Sequence, residues 1–255
     1  MNLLKADFYR LFKSRIFYVL VALTFVMPPL TCAMFPEMTV ERVIFQGLDT
    51  TLACAITGIM IAVFVGNDYA NNTIRNKICY GEKRLKVMTF TFAESALLCL
   101  IFVAVSAVSS LIFGGIICEF AFSSEFFAKL ICQILILLAF SSVAAAITMC
   151  SKSLKAGLIV ALLISVLLSA VGQILPMLSV TNNIASFLCR ILYSTVSSNM
   201  LNGTGGTYVY TSYTQAGAEA AVFNHTYLNS VVLAVAYIAA AVGISAAVVK
   251  KQSYK

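Results

Sequence analysis

Charge is scarce in this chain. Asp, Glu, Lys and Arg make up 11% of its 255 residues, where soluble domains carry about 25%. Hydrophobic residues reach 61%, against about 45–50% in such domains. So few charges cannot cover a water-facing surface, which excludes a soluble enzyme and a disordered chain. Histidine is nearly missing: His225 is the only one. The eight cysteines (Cys32, Cys54, Cys79, Cys99, Cys118, Cys132, Cys150 and Cys189) include no C-x-x-C pair, and most lie in apolar runs. They read as small hydrophobes, not as zinc ligands or a disulfide framework. No metal site and no bound cofactor are expected. The chain also lacks G-x-x-x-x-G-K-[ST], H-E-x-x-H and G-x-S-x-G, so phosphate-cradling and the familiar hydrolytic chemistries have no residues here. No basic patch has aromatic partners or a recognisable nucleic-acid fold around it, so no nucleic acid is expected.

Apolar runs take the place of all this, and mean hydropathy is +0.96. A membrane span needs about 20 mainly apolar residues, and six such stretches are found, at about 16–35, 49–66, 90–113, 126–150, 158–180 and 227–249. The expected fold class is therefore an all-α integral membrane protein: one transmembrane domain over residues 1–255, with six helices. The net charge of +7 comes from 17 basic and 10 acidic residues. With the N-terminus placed in the cytoplasm, fourteen basic residues fall inside: Lys5, Arg10, Lys13, Arg15, Arg75, Lys77, Lys83, Arg84, Lys86, Lys152, Lys155, Lys250, Lys251 and Lys255. Arg42, Lys129 and Arg190 fall outside. That asymmetry predicts both termini in the cytoplasm. The first span is of full length and no A-x-A-like cleavage site follows it, so it is expected to be kept rather than removed as a secretory signal.

The connecting segments are informative. In residues 1–15, Leu4, Phe8, Leu11 and Phe12 recur at helical spacing, with Lys5, Arg10 and Lys13 away from them. This predicts an amphipathic interfacial helix, and the plain alternative is simply the flank of the first span. Residues 67–88 form a polar and basic cytoplasmic segment. There Asn67 is expected to cap a short helix, Asp68 to suit its positive first turn, and Gly81 to end it. A second helix then runs from near Glu82 into the third span. On charge alone, an ordinary basic loop explains the segment equally well. Residues 181–226 form the longest outer segment. Ile184, Phe187, Leu188, Ile191, Leu192 and Val196 predict an amphipathic helix there, broken by Asn199–Gly206 and followed by Tyr208, Tyr210 and Tyr213.

Within the spans ionisable groups are almost absent, which argues against ion-coupled transport and intramembrane proteolysis. Small and mildly polar faces remain. One carries Thr50, Cys54, Thr57 and Gly58, and another carries Ser165, Ser169 and Gly172. Such faces let helices approach closely. Packing is the first reading, and lining a substrate path or a dimer seam is the second. Pro28, Pro29 and Pro176 each free backbone groups and bend their helices.

Taken together, the opening Leu3-Leu4-Lys5-Ala6-Asp7-Phe8-Tyr9-Arg10-Leu11-Phe12-Lys13-Ser14-Arg15 and the segment Asp68-Tyr69-Ala70-Asn71-Asn72-Thr73-Ile74-Arg75-Asn76 with Gly81-Glu82-Lys83-Arg84 resemble the ABC transporter permeases of the type-2 (exporter) family. Asn72 stands where that family commonly has Gly, and Glu82-Lys83-Arg84 where a Ser-Arg step is common. The resemblance implies that Asp68, Tyr69, Asn72, Thr73, Ile74, Arg75, Asn76, Gly81 and Arg84 belong to a coupling helix that docks in a separate ABC ATP-binding subunit. It also implies that ATP and Mg act on that partner, that a second permease copy or paralogue completes the assembly, and that outer helical elements precede the sixth span. The expected function is then export of an amphipathic cargo, an antimicrobial peptide or drug-like molecule, across a bacterial plasma membrane. The competing expectation is a non-transporting membrane scaffold or immunity protein.

Overall fold

The structure, a computed structural model, describes residues 9–35, 37–48, 50–71, 73–79, 81, 83–151, 153–179, 183–192, 207–214, 217–223 and 225–251. Residues 9–13 are helical (α1). Then follow α2 (Arg15–Met34), α3 (Val40–Gly47), α4 (Thr50–Ala70), α5 (Thr73–Cys79), α6 (Arg84–Ile117), α7 (Phe126–Ser151), α8 (Leu154–Ser179) and α9 (Asn183–Ile191). A hairpin of β1 (Tyr208–Thr214) and β2 (Gly217–Phe223) precedes the last described helix, α10 (Thr226–Lys251).

Five helices are long and apolar enough to cross a membrane: α2, α4, α6, α7 and α10, with mean hydropathies from 1.5 to 2.7. The protein is thus a multi-pass α-helical membrane protein. The helix α8 has the same 26 residues as α7, but its described apolar stretch is the shorter Leu154–Leu167. Burial ranks the spans. In α4, 72% of the spanning window is buried within the molecule, against 28% in α2 and 17% in α10. The helix α4 is therefore the centre of the bundle, while the outer faces of α2 and α10 are left to lipid.

The centre is built on small residues. A Cβ at Gly66 would lie 2.7 Å from the Leu154 Cα, so α8 begins directly against the α4 backbone. One turn-pair earlier, Gly58 faces Ala161 and Phe140. Small side chains at these heights let the backbones approach closely, where dispersion contacts replace the missing hydrophobic drive in lipid.

Two elements differ from the sequence expectation. The link between the first two spans is a helix, α3. Thr39 caps it by accepting from the Arg42 amide at 3.4 Å, and Val40, Val43, Ile44 and Phe45 are buried. Its last turn is held by Gln133, whose Nε2 donates to Leu48 O at 2.6 Å. The outer segment before α10 is helical at α9 but continues as an antiparallel hairpin, with Tyr208 paired to Phe223 and Thr214 to Gly217. Tyr, Val and Thr alternate through β1, and such residues favour extended backbone.

The two ends of the bundle are distinct. At one, the end of α4, α5, the start of α6, and the ends of α7 and α10 converge, as the shared surroundings of Tyr69, Ile74, Arg84, Met149 and Val249 show, and α1 joins them through Arg10. The opposite end gathers the acidic loops. There Thr39 bridges to Glu119, the Glu41 carboxylate accepts from Ser123 N and Oγ at 2.5 and 2.8 Å, and Tyr227 Oη donates to Glu125 at 2.6 Å.

Candidate functional site

The basic end holds a buried carboxylate. Asp68 is only 5% exposed and sits in the last turn of α4. This corrects the sequence reading of Asn67 as an N-cap and Asp68 as a first-turn residue. The apolar helix of the second span runs on to Ala70, and the new helix starts at Thr73. A carboxylate at a helix C-terminus opposes the helix dipole, and a buried one needs cations. Two arrive from different segments. Arg10 of α1 places Nη2 2.5 Å from Asp68 Oδ1, and Lys77 of α5 places Nζ 3.5 Å from Oδ2. Arg10 Nη1 also donates to Thr73 Oγ1 at 3.4 Å. One carboxylate therefore ties together α1, α4 and α5.

Arg10 was expected on the polar side of an interfacial helix, away from its apolar residues. It turns inward instead, because Asp68 needs it. Leu11 beside it is buried in the main core, while Tyr9 and Phe12 are exposed. Leu4, Lys5 and Phe8 lie outside the described residues.

The helix α5 is two-faced. Ile74 is buried and Ile78 half-buried, one turn apart, over Tyr69, Val87, Met88 and Val249. The void beneath them is about 10 Å³, room for one water at most, so α5 is seated on the bundle. Arg75, Asn76 and Cys79 face outward. Gly81, at φ +92° with open space around it, turns the chain into α6, the left-handed conformation that glycine permits. Lys83, Arg84 and Lys86 are exposed in the next turn. The outcome is a short helix with a packed apolar face and a polar, basic outer one. Asn72 lies outside the described residues.

Those residues considered for a path whose side chains are described are packed against their neighbours or their own helices. Cys54 is fully buried. Thr57 turns its hydroxyl onto its own helix, donating to Ala53 O at 2.5 Å, and Gly58 faces Ala161. Ser165 likewise donates to Leu162 O at 2.9 Å. The side chains of Thr50 and Ser169, and the surroundings of Gly172, lie outside the described residues. Between α7 and α8, beside Gly157 and Ala161, the void is again about 10 Å³. A wider hollow of about 540 Å³ lies at the opposite end, lined by Met34, Phe35, Glu37, Met38, Thr39 and Arg42.

Sequence reasoning named Asp68 but missed its partners Arg10 and Lys77. The signal available was the buried carboxylate itself: an Asp continuing an apolar helix needs a cation, and only the flanking basic segments could supply one. Sequence reasoning also missed the pairing of Ser109 with Pro29. Proline at 29 removes the amide that would bond Phe25 O, and Ser109 of α6 donates to that carbonyl at 2.6 Å instead. Among the described residues no cluster of three His, Cys, Asp or Glu could hold a metal.

The fold and this site together define a multi-pass helical membrane protein with a docked polar helix at its basic end. No protein-family model matches the chain, and no curated protein matches it.

Proposed function

We propose that this chain is the membrane-spanning permease subunit of an ATP-driven exporter of the type-2 ABC class. In that reading all six apolar segments span, α8 included, and the basic end with both termini faces the cytoplasm. The outward face of α5, with Arg75 and Asn76, docks in a separate ATP-binding subunit, which carries the ATP and Mg. A second permease copy or paralogue completes the membrane unit. The cargo is amphipathic, an antimicrobial peptide or drug-like molecule, and the membrane is a bacterial plasma membrane.

The observation that carries the reading is the Arg10–Asp68–Lys77 cluster. A lever must be polar enough to leave the lipid and stiff enough to pass on a push. Here a short helix has a seated apolar face, a charged anchor to two other segments and an exposed outer face carrying Arg75 and Asn76. The scarcity of ionisable groups within the spans fits an energy source on another subunit.

The scaffold or immunity reading has one observation in its favour: Cys54, Thr57, Gly58 and Ser165, which were considered for a path, are packed within the bundle or bonded to their own helices. Recovery of the tagged chain from its own host membranes in mild detergent, read by mass spectrometry, separates the two. The exporter reading expects a P-loop ATPase in about equal amount, lost on Arg75→Glu. Recovery without any ATPase, under conditions that preserve known complexes, favours the scaffold.

A further inference from the structure

Two thiols meet at the end of the bundle opposite the Asp68 cluster. The helices α2 and α6 run parallel there. Their register is set lower down, where Ser109 Oγ donates to Phe25 O at 2.6 Å and the Phe25 and Phe113 rings meet edge-on with centroids 5.7 Å apart. Two turns above Phe25 lies Cys32, fully buried. Just past the end of α6 lies Cys118, half-buried, its amide donating to Gly114 O at 2.8 Å. The next residue, Glu119, is bridged to Thr39 beyond α2, so the level of Cys118 is fixed from both sides. At that level Cys32 and Cys118 are neighbours, close enough for their side chains to interact. Neither residue has a part in the coupling site.

We infer that Cys32 and Cys118 form a reversible disulfide, a covalent staple between α2 and the far end of α6, made by exchange with an oxidised small-molecule or protein disulfide. The accessible Cys118 is the entry point. Its thiolate attacks one sulfur of the incoming disulfide, and one partner leaves as a thiolate. The thiolate of Cys32, its proton lost to solvent base, then attacks Cys118 Sγ and expels the second partner thiolate. Two protein thiols are oxidised, one external disulfide is reduced to two thiols, and no other reactant is needed. The inference stands apart from the transport reading. It draws on the proposed orientation only for where the oxidant is met, on the non-cytoplasmic side, where disulfides persist.

The test uses the purified full-length protein in lipid nanodiscs, open on both sides. It is incubated with excess oxidised glutathione, its remaining thiols are blocked with N-ethylmaleimide, and it is digested without reductant. The expected product is a peptide pair joined through Cys32 and Cys118, lighter by two hydrogens than the sum of its parts and lost on reduction. Cys32 and Cys118 then escape alkylation without carrying glutathione. In Cys32→Ala, Cys118 should stop at the glutathione adduct, and in Cys118→Ala, Cys32 should stay reduced. The inference is overturned if wild-type Cys118 retains glutathione, or if both thiols remain alkylatable while the exposed Cys79 takes up glutathione. Because the wild-type readout suffices, it does not depend on either variant folding. An impermeant oxidant on intact cells then reports the orientation separately: the same bond forms only if this end faces outward.

Discussion

Asp68 and Ser109 show how single side chains make this bundle possible. Removing one member of a buried ion pair strands the other charge and typically costs about 3–5 kcal/mol. Arg10 is 40% exposed and Lys77 14%, so water screens part of that loss. Asp68→Ala should therefore destabilise the protein by about 2–3 kcal/mol, read as a lower midpoint in detergent denaturation. An unchanged midpoint would mean the cluster holds nothing together. Ser109→Ala should cost about 1–3 kcal/mol, because Phe25 O is left unpaired. Pro29→Ala restores an amide to that carbonyl, so in its presence Ser109→Ala should cost much less. A double-mutant cycle with no coupling between the two positions would remove this account. That the third span is rich in serine is plain from the sequence. The pairing of Ser109 with a particular proline is not, because sequence does not say which helix lies alongside.

At the scale of elements, periodicity and length carried most of the information. The long apolar helices fall where hydropathy placed them, and the helix entering the third span does run on without a break, as α6 over Arg84–Ile117. The short elements were harder to see. The helix α3 has eight residues, too few for periodicity to stand out, although Thr39 before Val40, Val43 and Ile44 is a legible cap and apolar face. The hairpin followed a glycine-rich break that reads as loop, and its strand signal is brief. For α5, Ile74→Ala should loosen the seated face at a cost of about 2–4 kcal/mol. Arg75→Glu, on the exposed face, should leave the denaturation midpoint within about 0.5 kcal/mol while abolishing recovery of the proposed ATPase partner. If both variants lose stability alike, α5 is only a structural cap. Thr73 is the first residue of α5, where proline is tolerated, so Thr73→Pro should remove only the contact with Arg10.

The whole molecule presents different thiols at its two ends, which makes its orientation measurable without new cysteines. Cys79 and Cys150 are exposed near the basic end, and Cys118 is half-buried at the other. In sealed right-side-out vesicles first treated with an impermeant reductant, at pH 8, an impermeant maleimide should label Cys118 and spare Cys79 and Cys150, and permeabilisation should add those two. Labelling of Cys79 before permeabilisation would invert the proposed topology. Cys189 should lag under both conditions: it is fully buried and burial pushes its thiol above the ordinary value, so little reactive thiolate exists at that pH. The division into two ends was legible in the sequence from the placement of basic residues alone. What converges at each end, and through which contacts, was not, because those contacts join residues far apart in the chain.

The 34 residues of α6 make a rod about 51 Å long at the usual helical rise, whereas the hydrocarbon layer is about 30 Å thick. Its foot stands at the turn after Gly81, beside the docked α5, and its tip ends at Cys118. No proline or described break interrupts it. A tilt imposed at the foot by anything that grips α5 would therefore reappear at the tip as a sideways displacement of the Cys32–Cys118 meeting point. Stapling that point would, in turn, be felt at the foot.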